Sequence, residues 1–251
     1  MIRDGGEARR IEDLLLDATQ PAQQLQYDGW LLRLAPNDVK RASSVNPIYG
    51  SSLPLEEKIP YCEGVYTEHG LTPFFRMTPF AQPGSLDETL EAHGYERFER
   101  SLCMSAPLAA PLPETRTALR FERPHLDRWL QLVAEMRGLT PERRQAERER
   151  LFDSTLPGFA VVAYAGDEAA GCGFVMIEED YAGLFDITTL AARRNQGIGR
   201  ATCAYLMRLA RQHGAERAWL SVVADNEPAV RLYEKLGFAP VYDYWYRRPR
   251  P

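Results

Sequence analysis

The sequence predicts an α+β chain built as two tandem halves, and three observations carry that prediction. The order helix, strand, short helix, final strand occurs twice. Its landmarks keep a nearly constant spacing: His213-Gly214 follows His69-Gly70 by 144 residues, and Gly237-Phe238 follows Gly94-Tyr95 by 143, as an internal duplication with one small gap would give. Between the copies lies Ala106-Pro107-Leu108-Ala109-Ala110-Pro111-Leu112-Pro113-Glu114, rich in proline and alanine and without charged periodicity, which reads as a linker. The expected division is a first half over 1–105, a linker over 106–117 and a second half over 118–251.

Taken in order, Glu7 to Ala18 carries Ile11, Leu14, Leu15 and Ala18 on one face, the pattern of an amphipathic helix, and Pro21 stops it. Gln26 to Leu34 reads as a strand, or as a hairpin turning at Asp28-Gly29. A second extended piece is expected over Lys40 to Val45. Ser51-Ser52-Leu53-Pro54 offers N-cap candidates with a proline just inside a helix that runs to His69-Gly70 and is bent by Pro60. Thr72 to Phe80 is β-rich, Asp87 to Ala92 helical, and a strand follows around Phe98 to Met104. Past the linker come a strand at Leu119-Arg120-Phe121, a helix from His125 to Met136, and a second helix that Thr140-Pro141 starts. Its alternating Arg and Glu suit a solvated face with i,i+4 pairs. Phe159 to Tyr164 and Ala170 to Ile177 form a hairpin about Gly166-Asp167, and the run Leu184 to Leu190 is a third strand. A helix from Arg200 to His213, a strand from Trp219 to Val223, a short helix from Pro228 to Leu236 and an extended Phe238 to Arg247 complete the chain.

Composition narrows the function classes. With 45% hydrophobic and 26% charged residues in a chain of 251, each half is long enough to bury its own core. A net charge of −5 and a pI near 5.5 argue against nucleic acid as a partner. The N-terminus has no signal-peptide core, and no run approaches the ~20 apolar residues of a membrane span. The expectation is therefore a cytoplasmic protein without a membrane partner, a monomer or homodimer. Cys62, Cys103, Cys172 and Cys203 are far apart and sit in apolar segments, so they read as buried thiols. His69, His93, His125 and His213 show no metal-ligand spacing, and no metal is expected.

The stretch with most chemical content is Arg194-Asn195-Gln196-Gly197-Ile198-Gly199, between the third strand of the second half and its following helix. Glycines at such a turn let successive backbone N–H groups face one anion, and the positive end of the helix adds to them. Farther on stands Asn226-Glu227-Pro228-Ala229-Val230-Arg231-Leu232-Tyr233-Glu234-Lys235-Leu236-Gly237-Phe238. The two together resemble the motifs of the GNAT superfamily of acyl-CoA-dependent N-acyltransferases: Arg-x-x-Gly-x-Gly opening a helix, then Asn-x-x-Ala-x-x-x-Tyr-x-x-x-Gly-Phe. The likeness spans roughly residues 118 to 249. The chain departs from it where many members have Val-x-Pro leading into the loop and this sequence has Thr189-Leu190-Ala191.

The resemblance implies a tandem GNAT-like fold, with mixed central sheets flanked by helices, and acetyl-CoA as cosubstrate. It implies that the Arg194–Gly199 stretch, Asn195 included, with backbone N–H groups of Gln196, Gly197, Ile198, Gly199 and Arg200, holds the pyrophosphate while Arg194 adds charge. Backbone of Thr189 and Leu190 would pair with the pantetheine arm like an added strand, and Asn226 would face it while also suiting a helix N-cap. Tyr233 matches the superfamily's general acid for the departing thiolate. For the base, Asp186 on the strand is the choice, with Glu178, Glu179 and Asp180 able to act through water. The expected activity is transfer of an acetyl group directly to a primary amine of a small molecule. A non-catalytic acyl-CoA-binding regulatory module, or an acetyltransferase acting on protein lysines or N-termini, are the alternatives.

At the 144-residue offset Gly197 and Gly199 fall on Leu53 and Leu55, and at 143 Tyr233 falls on Leu90. The first half is thus a degenerate copy without loop or phenol. It either covers the catalytic sheet or walls the acceptor pocket, with Trp30, Arg33, Arg41, Asn46 and Arg76 as the residues that would do so.

Overall fold

The computed structural model describes residues 5–36, 39–109, 118–152 and 154–250. In chain order the elements are α1 (Gly5–Asp17), β1 (Gln23–Tyr27), β2 (Trp30–Leu34), β3 (Val45–Asn46), α2 (Leu55–Glu68), β4 (Phe75–Met77), α3 (Leu86–Ala92), β5 (Tyr95–Pro107), β6 (Arg120–Glu122), α4 (Leu126–Arg137), α5 (Pro141–Phe152), β7 (Gly158–Ala165), β8 (Glu168–Glu178), β9 (Tyr181–Thr189), α6 (Ile198–Gln212), β10 (Arg217–Val223), α7 (Glu227–Glu234) and β11 (Ala239–Pro249). No helix among the described residues is long and apolar enough to cross a membrane. The four cysteines are free and buried, and no group of His, Cys, Asp and Glu among the described residues is placed to hold a metal ion.

The chain forms two compact units, and they do not follow a single cut. One comprises Met1–Cys103, Val223–Asp225 and Val241–Pro251; the other comprises Met104–Val222 and Asn226–Pro240. The division expected at 106–117 therefore needs correcting at both ends. Ala106 and Pro107 complete strand β5 rather than start a linker, and residues 110–117 lie outside the described residues. The end of the chain leaves the second half, because β11 pairs antiparallel with β4, Trp245 opposite Met77 and Arg247 opposite Phe75.

In the first unit the strands run in the order β1, β2, β3, β4, β11, β5. The hairpin is tight: Asp28 and Gly29 both have positive φ, 40° and 84°, as a two-residue turn between twisted strands requires. Lys40 to Ala42, expected as extended, curl into one 3-10 turn on the carbonyl of Val39 before β3 begins. Helix α2 also starts later than its serines suggest, with Pro54 as N-cap. The cause is Asp28. Its carboxylate accepts from the backbone N–H of Ser52 (3.0 Å) and of Leu53 (2.9 Å) and from the Ser52 hydroxyl (2.8 Å), and it pairs with Lys58 at 3.1 Å. These contacts hold the Asp28 carboxyl well below the usual carboxylate range. Pro60 is accommodated in α2 without ending it, since the carbonyl it leaves unbonded belongs to exposed Glu56.

The core of this unit gathers Trp30, Leu32, Val45, Ile59, Tyr66, Phe75, Leu90 and Tyr95. It also buries charge. Arg76 grips Glu12 with both terminal nitrogens, the Tyr242 hydroxyl donates to Glu12 at 2.7 Å, and the guanidinium lies 4.1 Å from the Tyr244 ring centre. Arg33 donates to the carbonyls of Leu16 (3.0 Å) and Thr19, closing the C-terminal end of α1. The residues expected to wall an acceptor pocket are thus engaged within this unit. Trp30 donates to the Gln82 carbonyl at 2.8 Å, Asn46 to the Ser44 carbonyl at 2.9 Å, and half-buried Arg41 reaches the Tyr244 hydroxyl at 3.4 Å.

In the second unit β6, β7, β8 and β9 follow one another antiparallel, and β10 adds parallel to β9. Helix α6 seats closely on this sheet because β8 presents Gly171 and Gly173. A Cβ at Gly171 would come within 2.7 Å of an Ile198 methyl, and one at Gly173 within 2.8 Å of Leu206. That seating fixes the helix start against the end of β9.

The Glu12–Arg76 pair generates a prediction. Burial would push the Glu12 carboxyl up, but Arg76 and Tyr242 outweigh it and hold it below its ordinary 4.5. A depressed carboxyl contributes stability above that value and loses it as pH falls below it. Glu12→Gln strands a buried guanidinium and is expected to cost about 3–5 kcal/mol in urea unfolding. The loss should shrink as the pH drops below about 4.5.

Candidate active site

The site is built where two strands part company. β9 and β10 pair only at Tyr181, Ala182 and Gly183 with Arg217, Ala218 and Trp219. Beyond Gly183, β9 keeps β8 on one side, and residues 186–190 are only half-buried. Opposite Gly173 the register slips: Cys172 faces Thr188 while Phe174 faces Phe185, so Asp186 and Ile187 together oppose one residue. This is a β-bulge, and Asp186 takes φ +52° within it, a conformation aspartate tolerates better than most side chains.

After β9 a short 3-10 turn, Ala191–Arg193, leads to the glycine loop. Asn195 and Gly197 have positive φ, 62° and 80°, and Gly197 caps α6 in the left-handed region. The carbonyl of Gly197 accepts the first helical bond from Ala201, so the first-turn N–H groups of Ile198, Gly199 and Arg200 are the ones a helix leaves for an outside acceptor. Gly199 sits close to its neighbours: a Cβ there would stand 3.3 Å from the Thr189 hydroxyl, so that hydroxyl would have to shift by a few tenths of an ångström, and in ordinary contact with Leu232 at 3.5 Å.

A cavity of about 990 Å³ opens at this point, between the end of β9, the start of α6 and helix α7. Of the residues singled out in the sequence, Thr189, Arg194, Asn195, Gly197, Ile198, Gly199, Arg200, Asn226 and Tyr233 line it. Gln196 is exposed and does not. Leu190 does not line it either, and its backbone is already engaged: its N–H donates to Ala170 at 2.9 Å and its carbonyl accepts from Arg193. The expected strand-like pairing through Leu190 is therefore corrected. By alternation the free backbone edge belongs to Thr189.

Asn226 caps α7, its side chain accepting from the Ala229 N–H at 3.3 Å, and it also lines the cavity. Tyr233 is half-buried one residue before the end of α7, packed edge-on against Phe238 at 5.9 Å. Burial, with Cys203 nearby, pushes its phenol above the ordinary value. It therefore stays protonated throughout the neutral range.

Asp186 is not in the cavity lining; its partner is. Arg137, the last residue of α4, lines the cavity and donates to the Asp186 carboxylate at 3.3 Å, while Glu147 of α5 approaches the same Nη1 at 3.8 Å. Sequence reasoning passed over Arg137, since a cation in the last turn of a helix before Gly138 is what the helix dipole favours anyway. It also passed over Arg231 and Lys235, whose i,i+4 spacing puts both on the cavity side of α7. Five cationic side chains, Arg137, Arg194, Arg200, Arg231 and Lys235, line the cavity, and no carboxylate among the described residues does, although Arg137 pairs with Asp186 and Arg231 with Glu227 at 2.8 Å beside it.

Residues 126–238 match the acetyltransferase (GNAT) family. A Bacillus subtilis (strain 168) protein, named as the uncharacterized N-acetyltransferase YobR, is 28% identical over 97% of this chain and 99% of its own length. Among solved structures, a GCN5-related N-acetyltransferase from Kribbella flavida superposes with a TM-score of 0.74 at 18% identity, over 99% of this chain and 97% of that one. A tandem GNAT protein from the clavulanic acid biosynthesis pathway superposes at 0.63 with 14% identity, over 100% and 98%. At these identities the two structures establish a shared fold, which in the second is itself tandem.

The cradle geometry is open to a direct test. Gly197→Ala forces an L side chain into the left-handed region at a cost of about 1–2 kcal/mol. Calorimetric titration with inorganic pyrophosphate is expected to show affinity lowered about tenfold or more, and unchanged binding would show that the turn is not the anion cradle.

Proposed function

We propose that this chain, whose residues 126–238 match the acetyltransferase (GNAT) family, transfers an acetyl group from acetyl-CoA directly to a primary amine of a small molecule. The observation that carries the choice of donor is the cation-lined cavity at the start of α6, whose glycine turn offers backbone donors to a pyrophosphate. Arg194, Arg200 and Lys235 supply further positive charge for the phosphates. Thr189 lies at the edge of β9 where an extended amide-bearing arm can pair with backbone, and Asn226 stands across the cavity from it.

Acetyl-CoA supplies a thioester-activated acyl group. In the reading proposed, the amine nitrogen attacks the thioester carbonyl carbon, the carbon–sulfur bond breaks, and an amide and free CoA result. Asp186 accepts the proton that the nitrogen must shed once it is bonded to the acyl carbon. It does so from a position only 15% exposed, beside Glu147 at the same depth, which suits a small ammonium group better than a bulky one. Tyr233 holds its proton toward the departing sulfur. With its phenol raised above the ordinary value near 10 and a thiol reference near 8.5, complete proton transfer is uphill, so the hydroxyl acts chiefly as a hydrogen-bond donor to the developing thiolate.

The proposal is tested by following CoA release with a panel of small amines and short peptides. Turnover with small amines supports it. Tight acetyl-CoA binding without turnover on any acceptor points to a binding module, and turnover on peptides alone to a protein acetyltransferase. Tyr233→Phe is expected to lower kcat about 10²–10⁴-fold, with the affinity for CoA unchanged in calorimetric titration.

A further inference from the structure

We infer that Arg137, which lines the cavity, is a positioning residue that keeps its neighbour Asp186 ionised and fixes where the Asp186 carboxylate points, against the opposing charge of Glu147. The inference rests on the reading of Asp186 as the group that takes the amine proton. It is drawn from three elements that meet at one atom. Arg137 Nη1 lies 3.3 Å from Asp186 Oδ1 and 3.8 Å from Glu147 Oε1, so α4, α5 and the β9 bulge converge on a single guanidinium nitrogen. Both carboxylates are recessed, at 15% exposure, while Arg137 at 35% also lines the cavity.

Each part of this arrangement has an electrostatic role. An opposite charge in contact favours the ionised carboxylate, typically by about 1–3 pH units, and a like charge nearby disfavours it. Arg137 supplies the first influence and Glu147 the second. Without the guanidinium, two recessed carboxylates on neighbouring elements would compete for one proton. Two uncharged groups sit at the Asp186 backbone. From β8 the Cys172 thiol, pushed up to about 12 by burial, stays neutral 4.0 Å from the Asp186 carbonyl, and the Thr188 hydroxyl donates to that carbonyl at 3.2 Å. Aspartate in the left-handed conformation at a bulge is held by its surroundings, not by the strand, so the pairing also fixes where its carboxylate points. Chemically, a carboxylate held ionised attracts an incoming ammonium. The ammonium has no lone pair, so it first loses one proton to solvent; the neutral amine then bonds to the acyl carbon, and the carboxylate accepts the second proton, which that bond has made far more acidic. The amine's own ionisation would then set the pH dependence of turnover near neutrality.

The test is a carboxyl NMR titration of protein labelled with carbon-13 at aspartate Cγ, the Asp186 resonance being assigned by its loss in Asp186→Asn. In Arg137→Gln the Asp186 midpoint is expected to rise by about 1–3 pH units. In Arg137→Lys it should return toward the wild-type position, and in Glu147→Gln it should fall below it. An unmoved midpoint in Arg137→Gln overturns the inference. So does an equal rise in Arg137→Lys, which would mark lost packing rather than lost charge. The proton-acceptor reading fails separately: if the midpoints move as expected while Asp186→Asn still releases CoA from the amine panel at the wild-type rate, control of Asp186 by Arg137 stands and its role in proton transfer falls.

Discussion

The parting of β9 from β10 after Gly183 and Trp219 is the constraint on which the site depends. A parallel pair that loses its ladder leaves one backbone edge without protein partners, and buried backbone groups in that state are costly. Here the cost is met by geometry. The end of β9 borders a cavity, and α6 and α7 supply other walls of it. The glycines of β8 belong to the same solution, since only a bare strand surface lets α6 approach closely enough to set its positive end against the last residues of β9. Strand divergence, bulge and helix seating are three consequences of one local choice about where pairing stops.

The two copies of the duplicated pattern have been put to different uses. In the first unit the polar investment is internal: Arg76 with Glu12, Arg33 with helix-end carbonyls, Arg247 with Asp87 at 2.9 Å. Charges satisfied in this manner fix a fold and are not on offer to a ligand. In the second unit Arg194, Arg200 and Lys235 line a cavity, and Arg137 and Arg231 line it while also pairing with carboxylates of the same unit.

Much of this was legible in the sequence because it is local. The left-handed turn at Gly197, the capping by Asn226 and the helix of α7 follow from residues within a few positions of each other. What escaped is non-local. Nothing near Val241 to Arg247 says that this strand will pair with β4, some 170 residues earlier, since strand partners are set by the whole sheet. Arg137 escaped for the opposite reason: its local explanation as a helix-end cation is complete, and only the fold brings α5 and the β9 bulge to it. The late start of α2 combines both, because Ser52, one of the serines that could cap it, is taken by Asp28 across the hairpin.

That last contact has a wider meaning. At the duplication offset, Ser52 and Leu53 occupy the places of Gln196 and Gly197 in the second copy. In the first copy these two backbone donors are filled by a carboxylate from the same chain, that of Asp28. A tethered anion has an effective concentration that dilution cannot lower. Those donors therefore keep their acceptor whatever the solution contains, whereas a ligand bound in the second-unit cavity would add to that unit's stability by mass action.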